Sequence, residues 1–195
     1  MPRVGSNSWV VAGRRTDDRL PLLANDIHLA LGLPSLWYEL ELEVPGELWV
    51  RGFSIPGAPG VKVGYNERLA WGFSATHADT QDLFLEWRHP FDETRFLSDG
   101  RWYDAQRRVE SIAVAGRPEP EEVEIIVTRN GPLVAEDPDL SLRWTAFDSE
   151  KSIFNALLEM NTARDWPEFR RALRNWSLPF NVVYADLDGT IPIRT

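Results

Sequence analysis

The sequence predicts an α+β fold in which antiparallel strands come first and helices last. Short apolar runs separated by turn signals fill the chain up to about residue 147, and the hydrophobic period becomes helical in the last third. There is no strand–helix alternation and no internal repeat, which argues against a βαβ series. At 195 residues the chain is one domain by length and large enough to bury a core.

Residues 8–12 read as a strand and Gly13–Arg19 as a polar turn. Leu20–Ala24 is a second apolar run, expected to end at Asn25-Asp26. Pro45-Gly46 between Leu36–Val44 and Glu47–Ser54 predicts a hairpin. After the breaks at Pro56–Gly60 come strands over Val61–Tyr65 and Leu69–Ala75, parted by Asn66-Glu67. Asp82–Trp87, Val123–Arg129 and Leu140–Phe147 read as further strands, with Asn130-Gly131-Pro132 as a turn. Ile153–Met160 and Pro167–Trp176 read as helices, the second with Asp165 as N-cap ahead of Trp166-Pro167. A last strand covers Val182–Ala185, and Asp188-Gly189 turns the chain. The Gly, Pro and charge content of His89–Glu122 marks an excursion, leaving a core of 6–88 and 123–195.

A net charge of −9 disfavours nucleic acid, whose phosphates call for clustered Lys and Arg. The absence of cysteine removes disulfides, thiolate metal sites and a Cys nucleophile. No stretch approaches the ~20 apolar residues of a membrane span, and the first residues contain no apolar signal-like run, so a soluble chain is expected. Nine tryptophans are expected to serve mostly as core; a sugar-stacking face or an acyl pocket is the other use of such a count.

The chemistry starts at Gly5-Ser6-Asn7-Ser8-Trp9, with His28 twenty-two residues beyond the serine in Leu22–Leu29. A serine that becomes an N-terminus supplies both a hydroxyl nucleophile and an α-amine to take its proton. That amine has a reference pKa of about 7.7–8.0, so a useful fraction is neutral near neutral pH. Glycine before the serine permits unusual backbone angles and leaves its carbonyl open to attack. Without further motifs, Ser6 reads better as an exposed residue near a terminus; for His28 the other reading is a histidine satisfying buried backbone groups.

Two more segments follow in order, Trp71-Gly72-Phe73-Ser74-Ala75 and Phe180-Asn181-Val182-Val183-Tyr184-Ala185-Asp186. Together with Gly5-Ser6 and the Asn25-Asp26-Ile27-His28-Leu29 segment, they resemble the β-subunit of the penicillin acylase family of N-terminal-nucleophile (Ntn) hydrolases, over nearly the whole chain. The resemblance implies an αββα sandwich and self-cleavage between Gly5 and Ser6. It also implies hydrolysis of an acyl amide of the penicillin, cephalosporin or acyl-homoserine-lactone type through an acyl-serine. Within it Ser6 is the nucleophile and His28 steadies it, while the Ala75 N–H and the Asn181 side-chain amide hold the oxyanion. Thr128-Arg129-Asn130-Gly131-Pro132 matches a structural turn of the family.

The resemblance further implies a structural calcium ion held in part by Asp79, Asp82 and the Gln81 carbonyl; a solvated acidic turn is the other reading of those residues. Relatives carry an α-chain ahead of this segment and a longer β-chain behind it. A missing α-chain partner, exposed apolar surface and a sandwich incomplete within 195 residues are therefore expected. Relatives also insert a short strand and turn before the element matched by Ile191–Arg194; the resemblance matches Arg194 to a family arginine near the nucleophile, here on a shorter tether. The readings from other classes are a carbohydrate- or partner-binding β-rich module and a folded segment without activity.

Overall fold

The structure is a computed structural model that describes residues 5–134, 137–147 and 152–194. It separates into two compact units, 1–78 with 149–195, and 79–148. The His89–Glu122 stretch lies inside the second. In chain order the first unit contributes β1 (Gly5–Val11), β2 (Leu22–His28), β3 (Tyr38–Val44), β4 (Leu48–Ser54), β5 (Val63–Asn66) and β6 (Leu69–Ala75). The second unit holds β7 (Gln81–Leu85), β8 (Trp87–His89), β9 (Asp92–Ser98), β10 (Arg101–Asp104), β11 (Gln106–Ile112), β12 (Glu121–Val127), β13 (Leu133–Val134) and β14 (Asp137–Trp144). The chain then returns to the first unit through α1 (Ile153–Thr162), α2 (Trp166–Ala172), β15 (Phe180–Asp186) and β16 (Ile193–Arg194).

Most boundaries follow local chemistry. Pro45-Gly46 closes β3 onto β4, with Gly46 at φ +78°, a conformation that costs glycine little. Ser152 caps α1 by accepting from the Asn155 N–H, and Asp165 caps α2 by accepting from the Glu168 N–H at 2.9 Å. The expected end of the second strand at Asn25-Asp26 is corrected: β2 runs on to His28. Tertiary bonds to the Asn25 side chain, described below, hold a pair that would otherwise favour a turn.

The first unit is built in layers. A six-stranded antiparallel sheet has the order β16-β15-β6-β5-β4-β3. One face presents Leu69, Trp71, Phe73, Val182 and Tyr184 to Met160, Phe169 and Leu173 from the helical segment. Trp71, Phe169, Trp166 and Tyr184 make a chain of ring contacts there, with centroids 5.0–6.3 Å apart. Of the nine tryptophans, however, Trp71 is the one fully buried, and Trp9, Trp87 and Trp102 are exposed. Trp166 and Trp176 pack against the buried cluster and Trp37, Trp49 and Trp144 are half-buried, in line with the expectation that most serve as core; the exposed three lie on β1, β8 and β10.

On the other face of the sheet, the β1–β2 ladder packs against β6 and β15. Asn25 is the joint. Its Nδ2 donates to the Phe73 carbonyl at 2.9 Å and to Ser8 Oγ at 2.8 Å, and its Oδ1 accepts from the Phe73 N–H at 3.0 Å. The carboxamide therefore acts as one residue of a neighbouring strand. Gly72 makes room for it, because a Cβ at that position would stand 2.8 Å from the Asn25 Cβ. Asn25→Ala is expected to lower stability by about 1–3 kcal/mol, since both Phe73 backbone groups lose their partner in a half-buried place. Urea unfolding followed by tryptophan fluorescence measures this.

The second unit consists of small antiparallel sheets, β10-β9-β8, β11-β12 and β13-β14-β7. Its organising residue is Glu86, 6% exposed. The Glu86 Oε1 accepts from Thr128 Oγ1 at 2.6 Å, Ser141 Oγ at 2.6 Å and Asn130 Nδ2 at 3.1 Å, which fixes the Thr128–Pro132 turn. Glu86→Ala leaves Ser141 Oγ and Asn130 Nδ2 without this acceptor and Thr128 Oγ1 with the Gly131 carbonyl alone, and is expected to cost about 3 kcal/mol. Glu86→Gln, which keeps a carbonyl oxygen there, should cost distinctly less in the same denaturation assay.

Candidate active site

β1 and β2 pair in continuous register, with Gly5 opposite His28, Ser6 opposite Ile27 and Ser8 opposite Asn25. Cross-strand partners share one face of a ladder and successive residues alternate. Ser6 and Ser8 thus stand on the face of Asn25, which its bonds to Phe73 turn toward β6. The strand runs without a break through the Gly5–Ser6 bond.

Opposite that face, β15 begins at Phe180 and Asn181, paired with Ala75 and Ser74. The Thr76 N–H and hydroxyl both donate to the Pro179 carbonyl, at 3.2 and 3.0 Å, and pin this end of the two strands together. Asn181 Nδ2 makes a long 3.4 Å contact with Ser74 Oγ, a weak use of a strong donor. In an antiparallel pair, hydrogen-bonded and non-bonded positions alternate. Because Thr76 donates to Pro179, the Ala75–Phe180 pair is of the non-bonded kind, and the Ala75 N–H points away from β15. Two residues earlier the Phe73 N–H has the same direction and meets the Asn25 side chain. The pairing of β5 with β6 covers Trp71 and Ala70, well short of Ala75. One end of the sheet therefore presents a backbone N–H and a side-chain amide on the side that the Ser6 face looks toward.

His28 is placed differently from the expectation. Its Cα stands across from Gly5, while the alternation puts its ring on the face of Asn7 and Asp26, not that of Ser6. There its Nε2 meets Asp26 Oδ2 at 2.7 Å, with both side chains largely exposed.

Tyr184 and Asp186, in the motif after Asn181, are structural. The buried Tyr184 hydroxyl donates to Asp186 Oδ2 at 2.8 Å, and Asp186 Oδ1 accepts from the Thr190 N–H at 2.8 Å. Burial, helped by that carboxylate, pushes the Tyr184 phenol well above its ordinary pKa, so it stays protonated. The backbone of Ile193 and Arg194 pairs with Val183 and Val182 on the outer edge of β15.

Asp79, Gln81 and Asp82 are exposed at the start of the second unit, with Asp82 across from Arg143 in the β7–β14 register. Among the described residues no group of three or more His, Asp or Glu is placed to hold a metal ion. Calcium takes about six to eight oxygens, so these residues by themselves do not complete its shell. Asn25 and Ser74 are the site residues that the sequence motifs did not single out; the signal was an asparagine inside an apolar run, where turn chemistry is the usual reading.

The penicillin amidase family profile matches residues 1–195. An acyl-homoserine lactone acylase of Pseudomonas syringae pv. tomato is 32% identical over 190 residues, covering 93% of this chain and 23% of that protein. The penicillin acylase 2 proenzyme of Pseudomonas sp. strain SE83 is 31% identical over 200 residues, covering 96% of this chain and 24% of its own length. The chain thus spans about a quarter of the length of these relatives. A penicillin G acylase from Alcaligenes faecalis superposes with a TM-score of 0.77 at 26% identity, over 95% of this chain and 34% of that one. The strand-rich, antiparallel architecture is accordingly that of the Ntn hydrolases. Profile, relatives and fold agree, and the chain belongs to the penicillin amidase family.

Proposed function

We propose that this chain carries the nucleophile and the oxyanion site of an amide hydrolase that matures by cutting itself before Ser6. The Ser6 hydroxyl attacks the Gly5 carbonyl, the peptide bond becomes an ester, and water resolves the ester to a Gly5 carboxylate and a free Ser6 α-amine. In the mature site that amine takes the hydroxyl proton while Ser6 Oγ attacks the carbonyl of an acyl amide. Charge gathers on the carbonyl oxygen, and the Ala75 N–H and Asn181 Nδ2 stabilise it there. The leaving amine departs with the proton held by the α-ammonium. Water then gives a proton to the α-amine and attacks the acyl-serine; the ester C–O bond breaks, the α-ammonium returns the proton to Ser6 Oγ and the acid is released. His28 acts at the Gly5 side of the ladder, where its bond to Asp26 steadies the end of β2.

The observation that carries this reading is the common side shared by Ser6, the weakly used amide of Asn181 and the outward Ala75 N–H. The names of the relatives support an acyl amide substrate. Leu29, Leu31, Leu33 and Leu36 are exposed in the first unit, Leu31 and Leu33 completely, which supports a covering second chain. N-terminal sequencing of the purified, incubated protein is the direct test. A new terminus reading Ser-Asn-Ser-Trp is expected, together with release of amine from an acyl anilide. An active preparation whose Gly5–Ser6 bond is intact overturns the reading.

A further inference from the structure

The second unit encloses a cavity of about 470 Å³ that the mechanism above does not use. Its floor is one face of the β11–β12 hairpin. Gln106 stands opposite Val127 and Arg108 opposite Ile125, so these four side chains share a face, and all four line the cavity. The Thr128–Pro132 turn forms one wall, and Arg143, Trp144 and Phe147 form the other. Trp144 and Phe147 meet edge to face with centroids 5.2 Å apart, and Phe147 is exposed.

The turn wall is held in place before any ligand arrives. The Thr128 N–H donates to the Gly131 carbonyl at 2.9 Å, and the Leu142 N–H donates to the Pro132 carbonyl at 2.9 Å, which ties the turn to β14. Glu86 grips the same turn through Thr128 and Asn130. Gly131, at φ +147°, lies so close to the Leu142 carbonyl that a Cβ has no room there. A pre-formed, partly apolar cavity with a few placed charges is the usual setting for a small molecule. The charges here are of one sign. Arg107, Arg108, Arg129 and Arg143 line the cavity and, among the described residues, no Asp or Glu does, in a chain whose net charge is −9. Glu124 and Glu110, which pair with Arg107 and Arg108, stand outside the lining, and both arginine side chains stay more than half exposed.

We propose that this cavity is a second ligand site, separate from the Ser6 site, and that it binds an aromatic carboxylate. The ring lies on the Ile125 and Val127 side chains with its edge toward Trp144 and Phe147, and the carboxylate meets the Arg108 guanidinium, whose fork matches two carboxylate oxygens. A small inorganic anion would leave the apolar floor and the aromatic wall in water. An alkyl carboxylate would cover them only by giving up the freedom of several rotatable bonds, a cost that a rigid ring escapes. The proposal does not depend on the amide-hydrolase reading, because every residue it uses belongs to the second unit, whereas Ser6, Ala75 and Asn181 belong to the first.

The full chain is titrated by calorimetry with 2-naphthoate, against 2-naphthylmethanol, hexanoate and inorganic phosphate, and hydrogen exchange read by mass spectrometry locates the bound ligand. 2-Naphthoate should bind about tenfold or more tightly than each of the other three. It should slow exchange in β11, β12 and the Thr128–Pro132 turn. Arg108→Met should weaken it about tenfold or more and Phe147→Ala about threefold or more, with the melting temperature unchanged because both side chains are exposed. The neutral alcohol, hexanoate or phosphate binding as tightly as 2-naphthoate overturns the proposal, as does protection confined to the first unit or an affinity that neither variant changes. Binding at the second unit by a chain whose Gly5–Ser6 bond stays intact and which cleaves no amide upholds this site and refutes the hydrolase. A self-cleaving, active chain in which 2-naphthoate protects nothing in the second unit does the reverse.

Discussion

Ser6→Ala is expected to abolish both cleavage after Gly5 and amide hydrolysis, with turnover falling at least about 10⁴-fold. The same oxygen performs both reactions, so no other residue makes up for its loss. Ser6 lies half-buried on the first strand and its side chain makes no hydrogen bond among the described residues, so the melting temperature should stay where it is. Ser6→Cys separates the two steps: a thiol still attacks the Gly5 carbonyl, and N-terminal sequencing should find Cys at the new terminus. Hydrolysis that persists in Ser6→Ala would remove the serine from the mechanism altogether.

Asn181→Ala should slow acylation by about 100- to 1,000-fold in kcat, worth about 3–4 kcal/mol of transition-state stabilisation, with KM little changed. The reason is that the oxyanion exists in the transition state and not in the bound ground state. The contact of Asn181 with Ser74 is long, at 3.4 Å, so its loss should scarcely affect folding. Asn181→Asp sharpens the experiment, because an ionised carboxylate of the same shape offers no donor and repels the developing charge. A fall in melting temperature that accounts for the lost activity would make Asn181 a structural residue.

The parts of this molecule legible from sequence are those whose cause is local. Pro45-Gly46 turns a hairpin, and Asp165 ahead of Trp166-Pro167 caps a helix, because the bonds involved span a few residues. The runs at Leu69–Ala75 and Val182–Ala185 were legible for the same reason: apolar, β-branched and aromatic residues favour a buried strand wherever it lies. Glu86 was not. It is buried between Leu83 and Leu85, 59% and 64% exposed, and Trp87, 67% exposed, so the hydrophobic pattern points to the wrong face. Its partners Thr128, Asn130 and Ser141 stand more than forty residues away.

Residue types and their order determined, without coordinates, the α+β class, the family and the candidate nucleophile, because the Gly5-Ser6, Trp71–Ala75 and Asn181–Asp186 motifs are short and contiguous. Tertiary structure decided which groups face one another. The register of β1 on β2 puts Ser6 on the side of Asn25 and His28 on the other, and a slip of one residue would exchange them. Asn25 meets Phe73 across 48 positions of chain, Gly72 is needed for the space that this takes, and the direction of the Ala75 N–H follows from the Thr76–Pro179 bond. Strand propensity and spacing are properties of neighbours in sequence; which face a side chain takes and whether a backbone donor is left open are set by pairing between strands far apart in the chain.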